Sequence, residues 1–424
     1  MFNRSIEEFI KEMLSEFRIV YVTGPRQAGK TTLARNIAID LGMRYLSLDD
    51  QATLSAAEND PHGLIRSLGE ESVVLDEFQY APALIPAIKE ASDSLKPGAK
   101  GKFLLTGSAD IFRSAKVQEA LPGHMARIEL LPLSITEQQN QEINIVDYLI
   151  AGDFASVDVP FIAREEIAAL ILRGGYPEVQ SQSRRARDIW FDSYIEGRLY
   201  KDFESLYSAR GDYHSKVQAL ALYLAGLSGN LVKYANVGND LDLDDRTTKT
   251  YIEILELMFI LRRVPAYLKN RAKRLATRMP KLHLLDTGLA CHLLRISDPQ
   301  QLLASHHYGN MLESLIYGEF CKHAPWAQEN VALYHYRDKR QFEVDLVLEH
   351  SQSRIIGIEV KASATVSLED LRGLARLAEN VGESFDFGVI FYTGDSILPF
   401  KVGEHTCFAL PIGLLVGRDG LQVD

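Results

Sequence analysis

RIVYVTGPRQAGKTT, residues 18–32, decides how the chain begins to fold. An apolar run over residues 19–22 enters the loop Gly24-Pro25-Arg26-Gln27-Ala28-Gly29, which closes on Lys30, Thr31 and Thr32 and opens into a helix-compatible stretch reaching residue 41. Strand, glycine-bounded loop, Lys-Thr and helix, in that order, make up the phosphate-binding P-loop. The two glycines let the backbone curl so that successive N–H groups face phosphate oxygens, and the helix adds its positive end. Lys30 is expected to reach the β- and γ-phosphates and Thr31 to ligate Mg²⁺. ATP and Mg²⁺ are therefore the expected ligands, with residues 24–32 as the nucleotide contact.

The rest of the nucleotide site should follow within the same sheet. Residues 72–77, Ser-Val-Val-Leu-Asp-Glu, carry an apolar run that ends in Asp76-Glu77. Buried parallel strands read as continuous apolar runs, and ligands bind at the carboxyl ends of such strands. Asp76 is expected to hold hydrated Mg²⁺ and Glu77 to polarise the attacking water. The next strand, residues 102–106, ends in Thr106-Gly107-Ser108, where Thr106 is a candidate contact for the γ-phosphate or the water; a turn satisfying its own backbone is the plainer reading. Residues 4–17 read as an amphipathic helix, 44–48 as a strand and 51–68 as one helix. A last strand and helix start are expected over 129–137, with Ser134 and Glu137 spaced as a capping box.

Length and composition set the frame. With 424 residues, two or three domains are expected. Apolar residues make up 46 % and charged residues 24 %, the balance of a globular protein rather than a disordered one. A formal net charge of −11 argues against a surface coated with nucleic acid, without excluding a local basic patch. Three distant cysteines, Cys291, Cys321 and Cys407, read as buried thiols of a reducing compartment. With no signal-peptide pattern and no long apolar run, a cytoplasmic protein without a membrane span is expected.

The segments GPRQAGKTT, VVLDE, LLTGS and IELLPLS, in this order and spacing, resemble the AAA-type ATPase domain of a widespread prokaryotic family in which a domain of uncharacterised function follows the ATPase. The resemblance extends over essentially the whole chain. It implies ATP hydrolysis, often completed by an arginine from a neighbouring subunit of a homo-oligomer. The family usually shows Gly-Arg before the last strand. Here Gly123-His124 stands instead, with Arg127 three positions on, and a histidine is a poor replacement for a permanently charged fork.

Residues 142–160 read as an irregular acidic linker, and 164–173 as a helix stopped by Gly174-Gly175. GGYPEV, from residue 174, resembles the start of the family's second domain, and residues 189–206 read as a core-packed helix. From residue 213 three short helices, 213–227, 230–237 and 246–259, with a turn at 238–244, describe helix-turn-helix geometry, and 261–285 reads as the hairpin of a wing. Residues 262–281 carry eight basic residues and no acid. Such a run suits phosphates, although a solvated hairpin face or a protein interface gives the same composition. Arg246, Lys249, Arg271, Lys273 and Arg274 are the candidate DNA contacts; Asp244 and Asp245, at the start of the reading helix, oppose phosphate.

In the last part, a helix over 310–321 carries Glu313, and two strands, 342–348 and 355–361, are joined by a polar turn. Glu359 and Lys361 share a strand face, and Asp345 on the paired strand is expected to meet them. Acids with a lysine two residues on suit Mg²⁺-dependent phosphodiester hydrolysis; a same-face ion pair is the plainer alternative. FEVDLVLEH…IIGIEVKAS resembles the PD-(D/E)xK nuclease fold. The resemblance implies a second metal site of Asp345, Glu359 and Glu313, with Lys361 beside it.

The expected fold class is α/β in four parts. These are a P-loop parallel-sheet ATPase domain (1–141), a linker and helical region (142–212), a winged-helix-like domain (213–298) and a restriction-endonuclease-like α/β domain (299–424). The expected function is an ATPase coupling nucleotide state to a DNA-binding or nuclease-like tail. The alternative is a nucleotide-dependent switch or scaffold for a partner protein, with an inactive nuclease-like domain.

Overall fold

The computed structural model describes residues 2–108, 123, 125–154, 159–207, 213–270 and 279–417. They fold as two compact units, one of residues 1–132 with 257–259, the other of 133–256 with 260–424. Among the described residues no helix is long and apolar enough to cross a membrane, and all three cysteines are buried free thiols.

In the first unit the order is α1 (Glu7–Glu16), β1 (Ile19–Thr23), α2 (Lys30–Leu41), β2 (Arg44–Ser47), α3 (Gln51–Asn59), α4 (Pro61–Ser67), β3 (Val73–Asp76), α5 (Leu84–Asp93), β4 (Phe103–Gly107) and β5 (Met125–Glu129). The five strands form one parallel sheet in the order β2-β3-β4-β1-β5. β1 is covered on both faces and flanked on both edges, so all five of its residues are buried. That is why IVYVT carries no polar alternation. Ile19, Tyr21, Leu75, Phe103 and Leu105 pack with Phe78 and Ile88 into the core below the loop.

Two expectations for this unit are corrected. The helix read over 51–68 is two helices. Pro61 disfavours helical backbone at Asp60, which sits at φ −142° and ψ 75° while its side chain accepts from the Gly63 N–H at 2.8 Å to cap α4. The last strand lies earlier than expected, at Met125–Glu129. The Leu130 N–H makes the last bond to β1, to the Thr23 carbonyl at 2.8 Å, and Pro132 has no N–H with which to resume a ladder.

The second unit begins with α6 (Ile135–Gln138), where the expected Ser134–Glu137 capping box is present. α7 (Ile145–Ala151) corrects the irregular linker expected there: Asn144 accepts from the Val146 and Asp147 N–H groups, and Ile145, Val146 and Leu149 are buried. α8 (Arg164–Arg173) ends at Gly174 as expected. α9 (Arg184–Tyr194) runs through a π-helical segment, Ile195–Tyr200, into α10 (Lys201–Leu206).

α11 (Tyr213–Gly226), β6 (Asn230–Leu231), α12 (Tyr234–Leu241), α13 (Asp245–Leu257), β7 (Leu261–Val264) and β8 (Lys281–Leu284) come next. The turn expected at 238–244 is shorter, because α12 runs to Leu241 before Asp242 takes a left-handed conformation at φ 52°. The three strands form an antiparallel sheet in the order β6-β8-β7. In the β7–β8 connection residues 271–278, with Arg271, Lys273 and Arg274, lie outside the described residues, as does His124.

The chain continues through α14 (Thr287–Leu293), α15 (Pro299–Ala304) and the largely buried α16 (Tyr308–His323). A six-stranded mixed sheet follows, ordered β13-β14-β12-β11-β10-β9. It is built from β9 (Ala332–Arg337), β10 (Glu343–Glu349), β11 (Ile355–Lys361), β12 (Phe385–Tyr392), β13 (Leu398–Val402) and β14 (His405–Pro411), with α17 (Arg372–Val381) between β11 and β12. The antiparallel β10–β11 pair matches expectation. β9, β13 and β14 add strands that the sequence reading lacks.

Candidate functional site

The P-loop leaves the end of β1 and delivers the chain to the start of α2. Gly24 lies so close to β5's continuation that a Cβ would strike the Leu130 carbonyl. Gly29, at φ 94°, is left-handed, and no side chain caps the helix it opens. The first turn of a helix carries N–H groups with no intrahelical partner, so α2 presents open donors and its positive end toward the loop. Beside it, the buried Thr23 hydroxyl has no hydrogen-bond partner among the described residues. From the N-terminal segment Arg4 donates to the Ala28 and Leu131 carbonyls, both at 2.7 Å, tying the loop to the chain beyond β5.

Lys30 is buried and folds back on its own loop, donating to the carbonyls of Gly24 at 2.9 Å and Pro25 at 2.7 Å. Burial lowers its pKa from 10.5 to about 8, only partly countered by Glu77 and Asp76. Phosphate oxygens would supply the negative charge this ammonium lacks. Thr31 is half-buried and Thr32 exposed on the first turn of α2. Arg26 stacks against Tyr80, its guanidinium 5.9 Å from the ring centre and within 3.2 Å of the hydroxyl.

At the ends of β3 and β4 the structure brings Asp76, Glu77 and Thr106 together. Thr106 donates to one Asp76 oxygen and accepts from the Glu77 N–H at 3.2 Å. The other Asp76 oxygen accepts from Tyr45 at 2.5 Å. Burial first, and then this bond, push the Tyr45 hydroxyl up to about 12, so it remains a donor at neutral pH. Glu77 is left-handed at φ 57°, an uncommon conformation for a non-glycine residue and one found at active sites. The Gln79 amide holds its carboxylate, while the Gln79 carbonyl oxygen accepts from the Ser108 N–H at 3.1 Å.

Arg4, Tyr45 and Gln79 are absent from the sequence-derived site. Tyr45 had a usable signal: in parallel register it lies opposite Val74, two residues before Asp76 on one strand face. Arg127 lies on β5, 3.6 Å from Glu129. A hydroxyl at Thr31 and a carboxylate at Asp76 are the hard oxygen donors that Mg²⁺ takes. Together with the uncapped helix and the underpaired lysine, they fit a magnesium-bound nucleoside triphosphate.

The acids in the second unit also converge, but around a residue that the sequence reading had assigned to the basic run. Lys281 Nζ lies 2.9 Å from Asp345 Oδ1 and in ion-pair contact with Glu313. The second Asp345 oxygen accepts from the Val360 N–H at 3.0 Å, and Glu359 hydrogen-bonds to Asp345. Lys361 approaches Glu359 at 3.5 Å and Asp370 at 3.9 Å. His283 stands 3.5 Å behind Glu313 and bonds Ser314 at 3.0 Å.

Burial would raise the Asp345 pKa, but Lys281 outweighs it and holds the carboxyl at about 2. Burial and the Asp345 charge push Glu313 and Glu359 well above the carboxylate range. For Lys361, burial is outweighed by Glu359, Asp345 and Asp370, which keep the ammonium charged. Among the described residues no group of three or more His, Cys, Asp or Glu side chains is arranged to hold a metal ion. This geometry does not fit the second metal expected at Glu313, Asp345 and Glu359, because an ammonium already bridges two of the three acids.

In comparisons with known proteins, residues 16–139 match the family model described as an AAA domain. Residues 164–300 match a domain of unknown function (DUF8612), and residues 308–415 another (DUF4143). The uncharacterized protein Rv2008c of Mycobacterium tuberculosis is 28 % identical over 378 residues, 87 % of this chain and 77 % of its own length. The uncharacterized protein Mb2031c of Mycobacterium bovis matches to the same extent. Among solved structures, the Walker-type ATPase PABY2304 of Pyrococcus abyssi superposes with a TM-score of 0.43 at 16 % identity, over 69 % of this chain and 96 % of that one. The ORC2 protein of Aeropyrum pernix gives 0.33 at 13 %, over 70 % and 92 %. Residues 16–139 are thus similar to an AAA domain, and the P-loop on its parallel sheet gives the first unit a P-loop ATPase-like fold.

Proposed function

We propose that the protein binds and hydrolyses ATP in its first unit and acts as a nucleotide-dependent switch, with the second unit as its non-nucleolytic output. The observation that carries the reading is the buried, underpaired Lys30 beside an uncapped helix N-terminus. On binding, Lys30 turns from the Gly24 and Pro25 carbonyls to the phosphates, while the N–H groups of the loop and of α2 hold the remaining oxygens. Mg²⁺, when bound, draws charge from the phosphates as bonding to the leaving group weakens; Thr31 and Asp76 are the residues to hold it. Tyr45 and Thr106 keep Asp76 oriented. Glu77, released from Gln79, accepts a proton from the attacking water.

Equilibrium binding of a non-hydrolysable ATP analogue tests the first step. One nucleotide per chain is expected, with affinity falling as pH rises above about 8. The sign follows from the lowered pKa: the free protein loses its Lys30 proton there, whereas the complex needs the ammonium, so binding takes up a proton. Affinity that does not change between pH 7 and 9.5 would exclude Lys30 as a phosphate ligand.

A DNA-binding output has one observation in its favour, since three helices with a β6-β8-β7 sheet are the parts of a winged helix. The described charges count against it. Asp244 caps α13 through Thr247, Lys249 lies 3.8 Å from Glu253, and Arg263 is paired with Glu256. We therefore expect weak duplex binding that changes less than threefold on Arg246→Glu with Lys249→Glu. A steep salt dependence abolished by these changes, or by Arg271→Glu, Lys273→Glu and Arg274→Glu together, would restore the DNA reading.

A further inference from the structure

We propose that Lys281 is the built-in cation of the C-terminal acid cluster. Its ammonium takes the place a divalent ion would occupy between Glu313 and Asp345, making the cluster a metal-free joint rather than a phosphodiesterase centre. One Asp345 oxygen accepts from Lys281 at 2.9 Å and the other from the Val360 N–H at 3.0 Å. A divalent ion bound at the usual distance of about 2.0–2.6 Å from these carboxylates would stand against the ammonium, with like charges in contact.

The lysine has little freedom to withdraw. Its backbone lies in β8, the central strand of the small sheet, paired with Val264 on one side and Leu231 on the other. Only 8 % of its side chain is exposed, so with the backbone held in the strand another rotamer would have to place the charge among buried neighbours. The acids come from three other elements, Glu313 from α16, Asp345 from β10 and Glu359 from β11. One ammonium thus joins the small antiparallel sheet to the six-stranded sheet across a buried helix. In this arrangement Lys361 pairs with Glu359 and Asp370 and has no metal-bound water to orient.

Mn²⁺ titrated into the nucleotide-free full chain, followed by electron paramagnetic resonance and by thermal melting, tests the proposal. The wild type is expected to bind no Mn²⁺ that Glu313→Gln removes, and its melting temperature is expected to stay unchanged by Mn²⁺. Lys281→Ala is expected to gain one Mn²⁺ per chain and to melt higher with the ion present, both gains being lost when Glu313→Gln is added. A wild-type Mn²⁺ signal lost in Glu313→Gln overturns the proposal, as does a folded Lys281→Ala chain that binds no Mn²⁺. Mn²⁺-dependent cleavage of plasmid DNA abolished by Lys361→Ala overturns it too. Should Lys281→Ala fail to fold, the wild type against Glu313→Gln decides alone: equal Mn²⁺ signals support the built-in cation, and unequal ones exclude it.

Discussion

Glu77→Gln is expected to lower ATP turnover by about 100- to 10,000-fold, the range over which a positioned general base acts, while leaving nucleotide binding intact. Gln keeps the shape of the side chain and its contact with Gln79 but cannot take a proton from water. Glu77 also raises the Lys30 pKa through its charge. Removing that charge lowers the Lys30 pKa further, so the variant should bind the analogue as the wild type does below pH 7 and should lose affinity at a lower pH than the wild type as the pH rises. Phosphate release measured beside analogue binding separates the two effects. Turnover above a tenth of wild type would remove Glu77 from the role of base and leave its left-handed backbone unexplained by catalysis.

Lys281→Met should destabilise the second unit by about 3–5 kcal/mol at neutral pH, the usual cost of breaking a buried ion pair from one side. Asp345 would be left buried with the Val360 N–H and Glu359 but no cation, so holding its charge or taking up a proton would each cost stability. The loss should depend on pH in a defined direction. In the wild type the Asp345 pKa is depressed from 3.8 to about 2, so its stabilising contribution is full above 3.8 and is lost as pH falls through about 2. The difference between wild type and variant should therefore be largest at neutral pH and shrink on acidification below about 4. Urea unfolding of the second unit at both pH values measures it. Adding Asp345→Leu to Lys281→Met should recover most of the loss, because an apolar pair of similar volume often replaces a buried ion pair without penalty. A loss under about 1 kcal/mol, or a double variant no better than the single one, would mean the ammonium does not hold the cluster together.

The two sites differ in how far they can be read from the chain. The P-loop is local: Gly24, Gly29, Lys30 and Thr31 lie within eight positions, and the loop's backbone chemistry dictates their types. Asp76 and Thr106 follow because parallel strands in an open sheet put their carboxyl ends on one side. Tyr45 and Gln79 bond these residues through polar side chains on elements otherwise read only for their apolar pattern. In the C-terminal cluster, strand period alone brings Asp345, Glu359 and Lys361 together. Lys281 lies 64 positions before Asp345 and entered the reading as one of eight basic residues in a run.

Composition cannot separate a lysine facing phosphate from one buried among acids. A faint local signal existed in the strand KLHL, residues 281–284, where Lys281 and His283 share a face inside an apolar stretch. Two polar residues on one face of a fully buried strand need buried partners, and the acids of α16 and β10 supply them. Local signals were likewise present where the helix over 51–68 breaks and where α7 begins. Asp60-Pro61 and Asn144 are ordinary capping residues and carry more information than the acidic composition around them.

Steady-state ATP hydrolysis by the full chain with Mg²⁺, repeated with excess EDTA and with Lys30→Ala, tests the central claim most directly. Turnover abolished by EDTA and lowered about 100- to 1,000-fold by Lys30→Ala is the predicted result, the scale for losing one charged donor to the transition state. No turnover by the wild type, or turnover that Lys30→Ala leaves unchanged, would contradict it.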